Sequence, residues 1–175
     1  MMMKMKAPSF DLPGVDGKNH SWDEFKGKTA VLVVFSCNHC PYVQASEDRL
    51  IDIQKDYGSK GLQVVAINSN DAQNYPEDSF DNMIKRSREK KFNFLYLRDE
   101  SQAVARAYGA THTPHLFLFD GKGNLKYTGK IDDNWQDPGR VKRKFLRDAL
   151  DAVLAGKPVA EPETFAIGCT IKWKK

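Results

Sequence analysis

Two cysteines stand three residues apart in Cys37-Asn38-His39-Cys40-Pro41. The elementary step of disulfide exchange is attack of a thiolate on a disulfide sulfur, and a second thiol close by can release the mixed disulfide from within. The pair follows the most apolar run of the chain, Ala30-Val31-Leu32-Val33-Val34-Phe35, and precedes a segment of helical spacing. It therefore sits where a buried strand becomes a helix, whose free N–H groups and dipole favour negative charge. His39 lies between the two thiols and supplies a cation or a hydrogen-bond donor. On this local placement Cys37 is the more exposed, attacking thiol and Cys40, one turn on, the resolving one. An imidazole that stabilises the Cys37 thiolate also stabilises the reduced pair, which makes its disulfide a better oxidant.

The elements that must hold such a pair are legible along the chain. Short alternating pieces at 10–12 and 18–21 flank Asp16-Gly17, a strong hairpin signal, and Ser21 opens one helical turn carrying Trp22 and Phe25. Thr29–Phe35 and Leu62–Asn68 read as strands buried on both faces, joined by a helix from Pro41 to Tyr57. Proline is tolerated in a first turn, where its missing N–H had no intrahelical partner. A polar loop from Asn68 to Asp78 precedes a charged helix over Ser79–Lys91, and Asp71 in that loop reads as a cap. A short strand at Phe94–Leu97, a helix at Ser101–Tyr108 and a strand at His115–Phe119 follow. Asp120-Gly121 turns that strand into an antiparallel one at Leu125–Thr128, and a helix at Val141–Leu154 closes the pattern. Strands alternating with helices in this way make an α/β fold with a central mixed sheet flanked by helices, an N-terminal hairpin extension and a helical insertion.

Composition narrows the function. The chain has 175 residues, 41% hydrophobic and 29% charged, with a net charge of +4. These values fit one folded domain over 1–175, with 156–175 as a tail. Phe165, Ile167, Ile171 and Trp173 make that tail too apolar to hang free, so it is expected to dock. No apolar run reaches bilayer length. The cluster Lys142-Arg143-Lys144 with Arg147 reads as the solvated face of a helix, and no nucleic-acid motif accompanies it, so neither nucleic acid nor membrane is expected as a partner. The start, Met1 to Lys6 and then Ala7-Pro8-Ser9, shows no apolar leader core or cleavage site, which points to the cytoplasm. Three cysteines are too few for a secreted disulfide framework, and a C-x-x-C pair beside a βαβ pattern reads as redox-active. Cys169 is either a small buried residue or a third redox cysteine on a tail that folds near the pair. His112 and His115 flank Thr113-Pro114; with two thiols they offer a Cu(I) or Zn(II) site, the basis of a carrier alternative. His20 reads as a surface residue.

Several of these stretches carry a resemblance to a known family. The front piece Ala7-Pro8-Ser9-Phe10-Asp11-Leu12 with Gly17-Lys18 and Phe25-Lys26-Gly27-Lys28, the motif Cys37-Asn38-His39-Cys40, and Thr113-Pro114 followed by Leu116–Phe119 and Asp120-Gly121 cover nearly the whole length. The chain resembles the thioredoxin-fold superfamily, in particular its redoxin branch of alkyl-hydroperoxide-reductase/thiol-specific-antioxidant-like proteins and thiol–disulfide oxidoreductases of the TlpA and ResA type. The resemblance implies a thioredoxin-like fold and Pro114 in cis, packed on Cys37 and Cys40. It also implies that the Thr113 backbone pairs with an extended substrate. No cofactor is implied; the partners are a thiol- or disulfide-containing substrate and an electron-donor reductase. The acid that thioredoxin carries six residues before its first cysteine is replaced by Val31, and the glutamate that ResA-like proteins carry after the second is replaced by Val43. The threonine and proline of a peroxidase motif are absent upstream of both cysteines. A thiol–disulfide oxidoreductase is the first reading and a hydroperoxide-reducing thiol peroxidase the alternative.

Overall fold

The computed structural model of the protein describes residues 5–175; residues 1–4, on which the leaderless reading of the N-terminus partly rests, lie outside the described residues. The chain enters as a hairpin of β1 (Asp11–Pro13) and β2 (Asn19–Ser21), antiparallel across the expected turn. Gly17 takes the positive φ of 82° there, which costs glycine no Cβ clash. His20, expected on the surface, is buried instead, its ring nitrogens 2.6 Å from Glu24 Oε1 and 2.8 Å from Asp16 Oδ2. Trp22 packs edge to face on Phe10 and Phe25 and seats the hairpin on the body, its ring 5.5 Å from that of Phe119.

The body then runs β3 (Ala30–Ser36), α1 (Pro41–Tyr57), β4 (Leu62–Asn68), α2 (Phe80–Lys90), β5 (Leu95–Arg98), α3 (Ala103–Tyr108), β6 (His112–Thr113), β7 (His115–Asp120), β8 (Leu125–Gly129), α4 (Phe145–Leu154) and β9 (Cys169–Thr170). Five strands form one mixed sheet in the order β5-β4-β3-β7-β8, with β3, β4 and β5 parallel and β7 antiparallel to both β3 and β8. The α/β architecture read from the pattern is therefore the observed one.

β3 shows why its sequence is apolar throughout. Ala30, Leu32 and Val34 face Leu50 and Ile53 of α1 and Leu146 and Leu150 of α4. Val31, Val33 and Phe35 face the other way, into Phe10, Phe25, Ala105, Tyr108 and Phe117. A strand covered on both faces has no polar side to show, so the period of two disappears from its sequence. The outer strands are not left bare either. Gly14 bridges Leu97 of β5, while Thr128 of β8 bridges Glu163 and Asn124, just before β8, bridges Lys6.

Two helices start later than their periodicity suggests, each for a local reason. α4 begins at Phe145 rather than Val141, so Lys142, Arg143 and Lys144 precede the helix and only Arg147 of the basic cluster lies on it. Asp133 holds that stretch extended, its carboxylate accepting from Lys142 N at 2.9 Å and its own N–H donating to Arg143 O at 3.2 Å. α3 begins at Ala103 because Gln102 adopts a left-handed φ of 68°. Its buried amide is engaged elsewhere, donating to Ser69 O and to Lys172 O of the tail.

The tail lies on the body. Thr128 and Pro162 to Thr164 exchange backbone hydrogen bonds, Ile171 is buried in the second core, and β9 pairs antiparallel with β6. The packing makes one core prediction. Phe117 is fully buried among Phe35 and Tyr108. Phe117→Ala is expected to cost about 3–5 kcal/mol, measured as a lower urea midpoint with an unchanged slope.

Candidate active site

β3 ends at Ser36 and α1 starts at Pro41, so the connection between them carries both cysteines of the motif. Pro41 occupies the first turn of α1 and Cys40 is the residue that caps it. Each cysteine is only 1% exposed, which corrects the expectation that Cys37 is the more accessible. The Thr113–Pro114 loop and the tail cover them. The Thr113–Pro114 peptide is cis. Cys37 Sγ lies 3.6 Å from Thr113 Oγ1, and Cys40 Sγ 3.5 Å from Thr113 O. Cys169 Sγ is 2.7 Å from Cys40 Sγ, and all three cysteines are free thiols. The strand edge of β6, which the resemblance reserves for an extended substrate, is filled by β9 of the same chain, Thr113 opposite Cys169.

The charge settles on Cys40, where the local reading placed it on Cys37. A hydrogen bond from the Cys37 thiol holds the Cys40 thiol down to about 4, helped by one from Cys169 and by the backbone N–H groups of Val43 and Cys169, against the opposing effect of burial. The α1 terminus thus serves the cysteine that caps it. Cys37 is pushed up, first by donating to Cys40, then by burial, then by the Asp78 carboxylate. Cys169 is pushed up to about 11 by burial and by its own hydrogen bond to Cys40.

Asp78 is the acid beneath the motif. It is fully buried at the end of the loop after β4, and its carboxylate accepts from Asn38 N at 2.7 Å, Asn70 Nδ2 at 2.9 Å and Asn68 Nδ2 at 3.4 Å. His39 Nδ1 sits 2.9 Å from Asp78 Oδ2 without the alignment of a hydrogen bond, and its Nε2 is 3.8 Å from Glu77 Oε1. Asn38 is fixed through every polar group it has. It donates from Nδ2 to Glu77 O, accepts from Tyr96 OH at Oδ1, and accepts from Gln44 Nε2 at its carbonyl. The two residues between the cysteines are thus locked to the loop that follows β4.

Val31 and Val43, which stand where relatives carry acids, are buried in apolar clusters. The acid arrives from another part of the chain. Sequence reasoning passed over Asp78 as one of several loop caps. The available signal was the dense run Asn68-Ser69-Asn70-Asp71 directly at the carboxyl end of a buried strand, on the side of the sheet where α/β proteins build their sites. Asp71 is the cap it was expected to be, accepting from Gln73 N and Asn74 Nδ2.

Cys37, His39 and Asp78 place three possible donor atoms within 4.8 Å of one another, a mixed set of the type that suits zinc or copper. Among the described residues His112 and His115 do not join that group. His112 bonds Thr111 Oγ1, and His115 accepts from Thr111 N while burial, and then the neighbouring His112, hold it down to about 4.

Several known proteins are similar to this chain. The family described as Redoxin matches residues 2–144. Wheat chloroplastic peroxiredoxin Q is 26% identical over 127 residues, 69% of this chain and 55% of that protein. The thiol-disulfide oxidoreductase ResA of Geobacillus thermodenitrificans is 24% identical over 120 residues, 69% of this chain and 64% of that protein. The chain thus spans somewhat more than half of the length of these two relatives. The crystal structure of a hypothetical protein from Sinorhizobium meliloti 1021 superposes with a TM-score of 0.92 at 42% identity, covering 99% of this chain and 96% of that one. The Chlorobium tepidum thiol:disulfide interchange protein of the thioredoxin family superposes at 0.68 with 22% identity over 86% and 97%, which makes the fold thioredoxin-like.

Two outcomes test the site. Ultraviolet titration of the reduced protein is expected to show one thiolate with a midpoint near pH 4, lost in Cys40→Ser; a lowest midpoint above about 8, where free thiols titrate, refutes the assignment. Asp78→Asn removes the charge that faces Cys37 and one acceptor of the network. It is expected to lower the Cys37 titration and to cost about 1–3 kcal/mol in urea unfolding.

Proposed function

The chain belongs to the redoxin family, and from that membership we propose that it is a thiol–disulfide oxidoreductase whose reactive pair is Cys37 and Cys40. The observation that carries the reading is geometric: Cys37 and Cys40 are buried together where β3 gives way to α1, both sulfurs lying against Thr113 of the cis Thr113–Pro114 peptide. A pair in that arrangement holds two electrons in its reduced form and gives a disulfide when it loses them. In the reaction proposed, a thiolate of a dithiol substrate attacks the Cys37–Cys40 disulfide and one cysteine leaves. The second substrate thiol then attacks the first substrate sulfur and displaces the remaining cysteine, so the substrate becomes a disulfide and the pair becomes two thiols. Stabilising the Cys40 thiolate stabilises the reduced pair, so the disulfide is oxidising. His39 and Asp78 face Cys37, and we assign them to holding the proton that Cys37 gains and loses. Thr113 and Pro114 wall the site. A dithiol protein and a redox donor or acceptor are the partners this chemistry calls for, and the cytoplasm is the compartment we assign to it.

A second reading has its own support, the likeness to a peroxiredoxin and the low-lying Cys40 thiol. Here Cys40 attacks a hydroperoxide, becoming a sulfenic acid as the alcohol leaves, and a neighbouring thiol condenses with it to a disulfide and water.

Equilibration with glutathione separates these readings from an inert pair. The proposal expects a potential less negative than about −230 mV, and a value near thioredoxin's, about −270 mV, overturns the oxidising direction. Cys37→Ser and Cys40→Ser are each expected to abolish turnover of a dithiol substrate. Stopped-flow oxidation by hydrogen peroxide no faster than that of a free thiol removes the peroxidase reading.

A further inference from the structure

Cys169 has no part in the exchange described above, yet its sulfur is the one in closest contact with Cys40 across the chain. We propose that Cys169 is the thiol through which the buried pair meets a dithiol protein, the tail serving as an internal substrate strand that moves the disulfide from Cys37–Cys40 to Cys40–Cys169. This rests on the thiol–disulfide reading of the same site.

Three observations carry it. The Cys40 and Cys169 sulfurs lie 2.7 Å apart, in direct contact as free thiols, so a bond between them needs no rearrangement of the backbone. Cys37 and Cys40 are both 1% exposed, whereas Cys169 is partly exposed and gives an incoming protein thiol the more open approach. It also lies in one tail with Phe165, exposed at 91%, and Ile167, at 38%. Finally, β9 is held on the β6 edge as an added strand, the way extended peptides are gripped. Gly168 is what lets it approach. A Cβ there would stand 2.1 Å from the Thr113 carbonyl oxygen and 3.1 Å from Pro114 N, both backbone atoms. The strand is also fixed on its far side, where Ile171 N donates to Thr111 O and Lys172 N to Asn70 Oδ1.

The exchange balances without an external oxidant. Cys169 Sγ attacks Cys40 Sγ of the disulfide, the Cys37–Cys40 bond breaks and the Cys40–Cys169 bond forms. Cys37 leaves with the electron pair and takes up the proton that Cys169 gives up. A thiolate of the partner dithiol then attacks Cys169 Sγ from outside, and Cys40, the lowest of the three thiols, leaves as a thiolate. The partner's second thiol displaces Cys169. The partner ends as a disulfide, and the three cysteines end reduced.

Disulfide mapping decides the question. The full chain is oxidised with diamide, blocked with N-ethylmaleimide and digested without reductant. The expected product joins Cys40 to Cys169, with the label on Cys37. A Cys37–Cys40 disulfide alone, with the label on Cys169, overturns the inference and leaves the redox reading standing; the absence of any disulfide overturns both. Gly168→Val keeps every cysteine but lifts the strand. It and Cys169→Ser are expected to lose the Cys40–Cys169 link, to retain Cys37–Cys40, and to slow oxidation of a reduced C-x-x-C protein such as thioredoxin at least tenfold. An unchanged rate in both variants refutes the route.

Discussion

A single buried carboxylate organises this molecule. Asp78 has no contact with solvent, and an ionised group in that position survives only if its lone pairs are met. The groups that meet them come from three residues in two places: the backbone of Asn38 in the cysteine loop, and Asn68 and Asn70 at the end of β4. Because each of these donors has further partners, the requirement spreads outward. Asn38 reaches Tyr96 on β5 and Gln44 on α1, and Asn70 reaches Lys172 of the tail and Arg98. One desolvated charge thereby fixes the relative placement of the redox loop, two strand ends and the C-terminal segment.

The two cysteines are sorted first by the hydrogen bond between them, from the Cys37 thiol to Cys40, and the same carboxylate adds to the asymmetry. Both sulfurs sit in one apolar pocket, so burial alone would raise both. Asp78 opposes a negative charge on Cys37, while backbone N–H groups of Val43 and Cys169 favour one on Cys40. The asymmetry combines local contacts, the Cys37–Cys40 hydrogen bond and the Val43 N–H, with distant ones, Asp78 and Cys169, and the distant ones leave no mark in the motif itself. A helix terminus favours the residue that caps it, and the cap is Cys40, directly before Pro41 and three positions after the motif's first cysteine.

Much of the fold was legible because buried elements leave strong marks. The unbroken apolar runs of β3, β4 and β7, the Asp16-Gly17 turn and the helix that begins at Pro41 each carry a local signal tied to burial or backbone geometry. What was not legible depends on partners far away in the chain. Gln102 leaves helical geometry to satisfy Ser69 and the tail, and residues 141–144 stay extended because Asp133 claims their backbone. The cysteine motif and Thr113-Pro114 stood out by spacing and residue type. Asp78 did not, since a carboxylate in a polar loop looks alike whether it is solvated or sealed.

The covering of the main sheet's two outer strands has a bearing on how the protein behaves in company. Unpaired strand borders are templates on which chains stack into aggregates. Here one border is met by Gly14 of the entering hairpin, and the other by Glu163 and by Lys6 beside it. The two ends of the polypeptide thus act as selvedges, finishing a fabric that would otherwise unravel into its neighbours. A chain lacking the segments that carry Gly14, Lys6 or Glu163 would keep its reactive centre's sequence while baring a strand border.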